Sequence, residues 1–143
     1  MEYRMVLTID DFNEVKDSIV PMCDAYIKSV DPNDEVTMPI IIREISYCIE
    51  HDDWYLYMFS SGRENKGFMI AKLMDNSVSP VLFIVHMYCP NGVRTLWETI
   101  CRIARDLNVT EIQGQVNDIV YRCYQIFAGR ENVKKMQTVR LFP

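Results

Sequence analysis

The amino-acid sequence predicts a single α/β (α+β) domain, residues 1–143, in which a central sheet is flanked by helices. Three observations carry this. Apolar residues recur at helical spacing in four segments. Three consecutive aromatic or β-branched runs are linked by short turns, so they read as an antiparallel meander. With 49% hydrophobic and 24% charged residues over 143 positions, the chain can build one ordinary core.

Tyr3 to Ile9 reads as a short strand, and Asp10-Asp11 as the cap of a first helix. Phe12, Val15, Ile19, Met22, Cys23 and Tyr26 form its apolar stripe. Pro21 removes a helical hydrogen bond, which predicts a kink or two short helices. Asp31 to Asp34 is a turn. A second helix begins near Pro39, with Ile41, Ile45, Cys48 and Ile49 inward. Trp54–Phe59, Phe68–Met74 and Val81–Tyr88 are the three hairpin-linked strands, with loops at 60–67 and 75–80. The apolar run of the third predicts burial on both faces. After the loop Cys89-Pro90-Asn91-Gly92 comes an amphipathic helix. Val93, Leu96, Trp97, Ile100, Ile103, Ala104 and Leu107 line one side, and Arg94, Glu98 and Arg102 stand four apart on the other. Val109–Val116 is a strand. Asn117 caps a last helix carrying Val120, Cys123, Tyr124 and Phe127, Gly129 stops it, and Lys134–Phe142 closes the chain as a strand.

The net charge of −5 argues against a nucleic-acid binder that neutralises phosphates. The charge is uneven: residues 1–72 hold 14 acids and 7 bases, residues 73–143 hold 6 acids and 8 bases. An acidic half facing a cationic partner and a basic half holding an anion is one reading, ordinary surface patchiness the other. No apolar run reaches the roughly 18 residues of a membrane span, and the start lacks a secretion signal, so a cytoplasmic protein without a membrane partner is expected. The cysteines at 23, 48, 89, 101 and 123 are odd in number and lack a C-x-x-C pair. With only His51 and His86 to complete a zinc site, buried thiols and no metal are expected.

This order of elements resembles the GNAT (N-acetyltransferase) superfamily, in which a mixed sheet splays open between its fourth and fifth strands and acyl-CoA lies in the opening. Asn117, Val120, Tyr124 and Phe127 match the spacing of the family's segment after the fifth strand, although Gly129 comes one position late and Arg130 replaces a Phe. The resemblance implies acetyl-CoA as the acyl donor, an amine acceptor (a small molecule or a protein) and Tyr124 as the proton donor to the departing thiolate. His86 on the fourth strand and Glu111 on the fifth are its candidate bases. His86 has a structural alternative and Glu111 a solvent-facing one. Glu44 and Glu50 line an acceptor groove or, more simply, an exposed helix face.

The family's phosphate loop is altered. The edge of the fourth strand and the loop after it, Met87, Tyr88, Cys89, Gly92, Val93, Arg94 and Thr95, with Asn117 beyond, stand where the family binds CoA. Small residues there let backbone N–H groups approach a pyrophosphate at the helix N-terminus. Here Cys89 replaces a Gln or Arg, and Arg94 replaces a small residue. Arg94 either pairs with a phosphate or fills its place. The second outcome describes a non-catalytic binding or scaffold module, of the kind found among small phage proteins, which engages a protein partner. A homodimer is compatible with either.

Overall fold

The computed structural model describes residues 1–74, 80–90, 93–115 and 118–134. The expected strand at Lys134–Phe142 lies, from residue 135 onward, outside them. Five strands, β1 (Glu2–Val6), β2 (Trp54–Ser61), β3 (Glu64–Met74), β4 (Val81–Tyr88) and β5 (Glu111–Gly114), form one sheet in chain order. The first three pairings are antiparallel and β4–β5 is parallel, so the sheet is mixed. The helices are α1 (Ile9–Ser29), α2 (Met38–Glu50), α3 (Val93–Asp106) and α4 (Asp118–Ala128).

β2 and β3 look continuously apolar because both sheet faces are covered. On one face Leu56, Met58, Phe68 and Ile70 pack against Ile19 of α1 and Ile41 of α2. On the other, Tyr57, Phe59, Met69, Ala71 and Leu82 pack against Leu96, Ile100 and Ile103 of α3. Period-two alternation thus serves two cores with one strand pair.

Several expectations change. The cap of α1 is Thr8, whose hydroxyl accepts from the Asp11 N–H at 3.1 Å while the Asp11 carboxylate accepts from the Thr8 N–H at 3.2 Å. This reciprocal box ends β1 at Val6, short of the expected Ile9. Pro21 does not divide α1 into two short helices; one helix of 21 residues runs through it. Val15, Ile19 and Cys23 are buried on both sides of the proline, and this packing outweighs one missing hydrogen bond. The first hairpin is tighter than its expected loop, turning at Gly62 with φ of 63°. Burial on both faces holds in β4 for Val81 and Leu82 but not for Phe83, Ile84 and Val85, which are half-buried.

Two features of β4 place the functional site. Pairing with β5 covers Val81–Ile84 and ends at Gly114, while β4 continues to Tyr88. Among the described residues β4 has no partner on that side beyond Ile84, and there the sheet opens. At the same point the β3–β4 register slips: Ile70 opposes His86, but Ala71 opposes Ile84, leaving Val85 as the extra residue of a β-bulge.

Candidate active site

The bulge decides where His86 points. Leu82 and Ile84 belong to the α3 core, so strict alternation would send His86 there as well. The extra residue at Val85 turns it to the opposite face, towards α1 and α2. There His86 is buried, with Nδ1 2.8 Å from the hydroxyl of Tyr26 (α1) and Nε2 3.0 Å from Oε2 of Glu44 (α2). The second contact brings charge close without the alignment of a hydrogen bond, and neither atom has another hydrogen-bond partner among the described residues. Burial, and then the negative charge of Glu44, pushes the Tyr26 phenol up to about 12. Nε2 faces a carboxylate, so the neutral tautomer that suits the site carries its proton there and leaves Nδ1 to accept from the Tyr26 hydroxyl.

Glu44 is the residue that sequence reasoning underrated. It is 8% exposed rather than on a wet helix face, and it borders a shallow groove of about 430 Å³. Tyr47, Trp54, Lys72, Phe83 and Val85 also line the groove. Val85 is both the bulge residue and a wall, so the groove reaches the point where β4 and β5 part.

Tyr124, on α4, packs its ring on Trp97 of α3, with centroids 5.3 Å apart. Burial, and secondarily Cys123, pushes its phenol up to about 12. Met87 faces the α3 core, whereas Tyr88 meets Tyr26 edge-on at 6.4 Å. Cys89 is half-buried at the end of β4. Arg94 and Thr95 are exposed in the first turn of α3, and Arg94 lies 3.8 Å from Glu98 in the expected i,i+4 pair. Arg102 instead donates to the Met1 carbonyl and sits over the Tyr3 ring. Gly92 and Asn117 lie outside the described residues, as do the side chains of Val93, Val120 and Phe127. Glu111 opens β5 opposite Val81 and accepts from Gln113 at 3.1 Å. Five residues of β4 separate its level from His86, roughly 16 Å along the strand. The structure thus gathers His86 with Tyr26 and Glu44 and leaves Glu111 at the paired end.

A second cavity, about 460 Å³, runs along the outside of α3 between Thr95, Arg102 and Arg105 and does not include the Tyr26–His86–Glu44 cluster. Among the described residues no group of His, Cys, Asp and Glu could hold a metal ion, and no helix is long and apolar enough to cross a membrane.

The buried thiols and phenols make stability sensitive to alkali. Burial raises Cys23 from 9.0 to about 11, and raises Cys48, with help from Glu44, to about 12. Tyr26 and Tyr124 rise from 10.0 to about 12. Each folded value lies above the unfolded one, so the stabilisation is complete below pH 9 and is lost as pH rises towards 12. Urea midpoints should hold between pH 7 and about 8.5 and fall steadily above about 9.5. A flat profile to pH 11 would contradict the burial of these groups.

No protein-family model and no curated protein sequence matches this chain. Solved structures do. The chain is similar to an aminoglycoside acetyltransferase, meta-AAC0020, from an uncultured soil metagenomic sample, in complex with sisomicin (TM-score 0.66, 10% identity, 99% of this chain and 94% of that one). It is also similar to the ribosomal-protein-alanine N-acetyltransferase of Brucella melitensis biovar Abortus 2308 (TM-score 0.63, 11% identity, 100% and 99% covered). A third is AAC(6')-Iy in complex with the bisubstrate analog CoA-S-monomethyl-acetylneamine (TM-score 0.62, 12% identity, 99% and 98% covered). With its mixed sheet and element order, the chain has the GNAT fold.

Proposed function

We propose that this chain transfers an acetyl group from acetyl-CoA to an amine held in the groove beside Glu44. The observation that carries the reading is the coincidence, at Val85, of three things: the bulge, the end of β4–β5 pairing and the wall of the groove. The residues present fit the donor. Val85–Tyr88 extend past the paired part of β5, and their backbone groups on that edge suit the amides of a pantetheine arm. The first turn of α3, with Thr95 and an Arg94 whose side chain is 77% exposed, suits the pyrophosphate. Arg94 Nε lies 3.8 Å from Glu98 Oε1, an exposed pair weak enough for the guanidinium to turn to a phosphate instead.

Bound there, acetyl-CoA supplies an activated acyl carbon, whose C–S bond breaks as the acceptor nitrogen forms the C–N bond. An acceptor that arrives as an ammonium first gives one proton to solvent, and Glu44 takes the second, which the nitrogen sheds as that bond forms. His86 Nε2 stands 3.0 Å from the carboxylate, and Tyr26 fixes the imidazole through Nδ1 at 2.8 Å. Tyr124 is the proton donor that the resemblance implies: its phenol gives the departing sulfur a proton and regains one from solvent.

Titration calorimetry with acetyl-CoA tests this directly, with Arg94→Gly alongside. Micromolar binding by the wild-type chain is expected, weakened about 3- to 10-fold by the loss of one exposed phosphate partner. No binding at millimolar ligand would overturn the reading and leave the scaffold module. Tighter binding by Arg94→Gly would mean that the arginine obstructs the loop.

A further inference from the structure

The groove has a charge pattern that the transfer chemistry does not require. It holds one carboxylate, Glu44, and two cations, Arg43 and Lys72. Lys72 is half-buried, its ammonium 5.6 Å from the centre of the Trp54 ring. Neither cation makes an ion pair with a described residue. A lysine held over an indole face is positioned before any ligand arrives, so little rotamer entropy is lost when an anion joins it. Beside the charges the lining is apolar, with Trp54, Phe83 and Val85 among it. The volume, about 430 Å³, lies at the small end of ligand sites, which run from roughly 300 to 1,000 Å³.

We propose that this groove takes a zwitterion, an amino acid with an aromatic or large apolar side chain, its amine at Glu44 and its carboxylate at Lys72. The proposal rests on the acetyl-transfer reading and names the acceptor class for it. A polycation fits poorly, since two positive side chains face it and only one carboxylate answers it. An amine without an acid group fits the walls but leaves Lys72 without an anion. Arg43, exposed at the rim, adds attraction for the carboxylate as the ligand enters.

The test compares kcat/KM for L-phenylalanine, 2-phenylethylamine and spermidine with acetyl-CoA as donor, in the wild type, Lys72→Met and Lys72→Arg. L-Phenylalanine should exceed 2-phenylethylamine by about tenfold, the effect of one charge-assisted contact in a partly buried site, with spermidine behind both. Lys72→Met should bring the ratio of the first two near one, and Lys72→Arg should keep most of it. A lead for spermidine or 2-phenylethylamine, or an equal loss on both amines in Lys72→Met, would overturn the proposal. If no amine is acetylated, the transfer reading has failed by itself. The groove is then judged by calorimetric binding of L-phenylalanine, which must be present in the wild type and lost in Lys72→Met. No binding at millimolar ligand overturns it.

Discussion

Glu44→Gln is expected to lower kcat for acetyl transfer by about 10²- to 10⁴-fold, the usual contribution of a positioned base, with acetyl-CoA affinity unchanged. The carboxylate lies on the α2 side of the sheet, in the groove, whereas the donor's contacts are assigned to the β4 edge and the start of α3. Gln keeps the shape of the side chain and loses the ability to take a proton. Because it also replaces half of a buried charge contact 3.0 Å long, the variant's stability is measured in parallel, so that a folding defect is not read as a chemical one. Tyr26→Phe, two contacts from the acceptor, should cost less than about tenfold, since it removes one neutral hydrogen bond behind the imidazole. Glu50→Gln, on the same helix but exposed, should behave as wild type. Full kcat in Glu44→Gln would remove this carboxylate from the mechanism and return the search for a base to solvent.

Glu44 marks where sequence reading stops. Its place on the inner stripe was available: it stands three residues after Ile41 and four before Cys48, the spacing of one helical face. What argued against burial was its charge, because a carboxylate goes inside only with a partner. That partner, His86, lies 42 positions away, and its direction is set by a one-residue slip of register at Val85. No local pattern encodes the slip. Period-two alternation from Leu82 sends His86 to the α3 side, and only the pairing of Ile70 with His86 reverses it. Tyr26 was visible merely as the end of an apolar stripe. By contrast the element order and the cores under α1, α2 and α3 follow from local periodicity and turn chemistry, which survive translation into a fold, whereas the parting after the fourth strand was implied only by the resemblance to the GNAT family. Pro21 shows the opposite failure: its local signal for a break into two helices is overridden, with Val15, Ile19 and Cys23 buried on both sides of it.

Gly67→Ala is expected to destabilise the chain by about 2–4 kcal/mol, a fall of roughly 10 °C in Tm, and to abolish acetyl-CoA binding with it. A Cβ at this buried position would stand 2.2 Å from the Tyr88 carbonyl oxygen, 2.9 Å from Cys89 Cβ and 3.0 Å from Cys89 Cα. The obstacles are mainly backbone, so no side chain can swing aside; β4 itself must lift away from β3. The part that lifts is Tyr88–Cys89, the end of the edge assigned to the donor and the lead into α3. The missing Cβ at Gly67 thus couples stability and binding through a single close approach. Gly62→Ala is the informative companion. Gly62 has φ of 63° but nothing within 4 Å, so alanine meets only backbone strain of about 1 kcal/mol at a hairpin tip, and binding should persist. Differential scanning calorimetry gives both Tm values, and titration of each folded variant with acetyl-CoA separates the two effects. A Gly67→Ala chain that melts and binds as wild type would mean that the end of β4 is not seated against β3, and the opening at Val85 would lose the support on which the donor site depends.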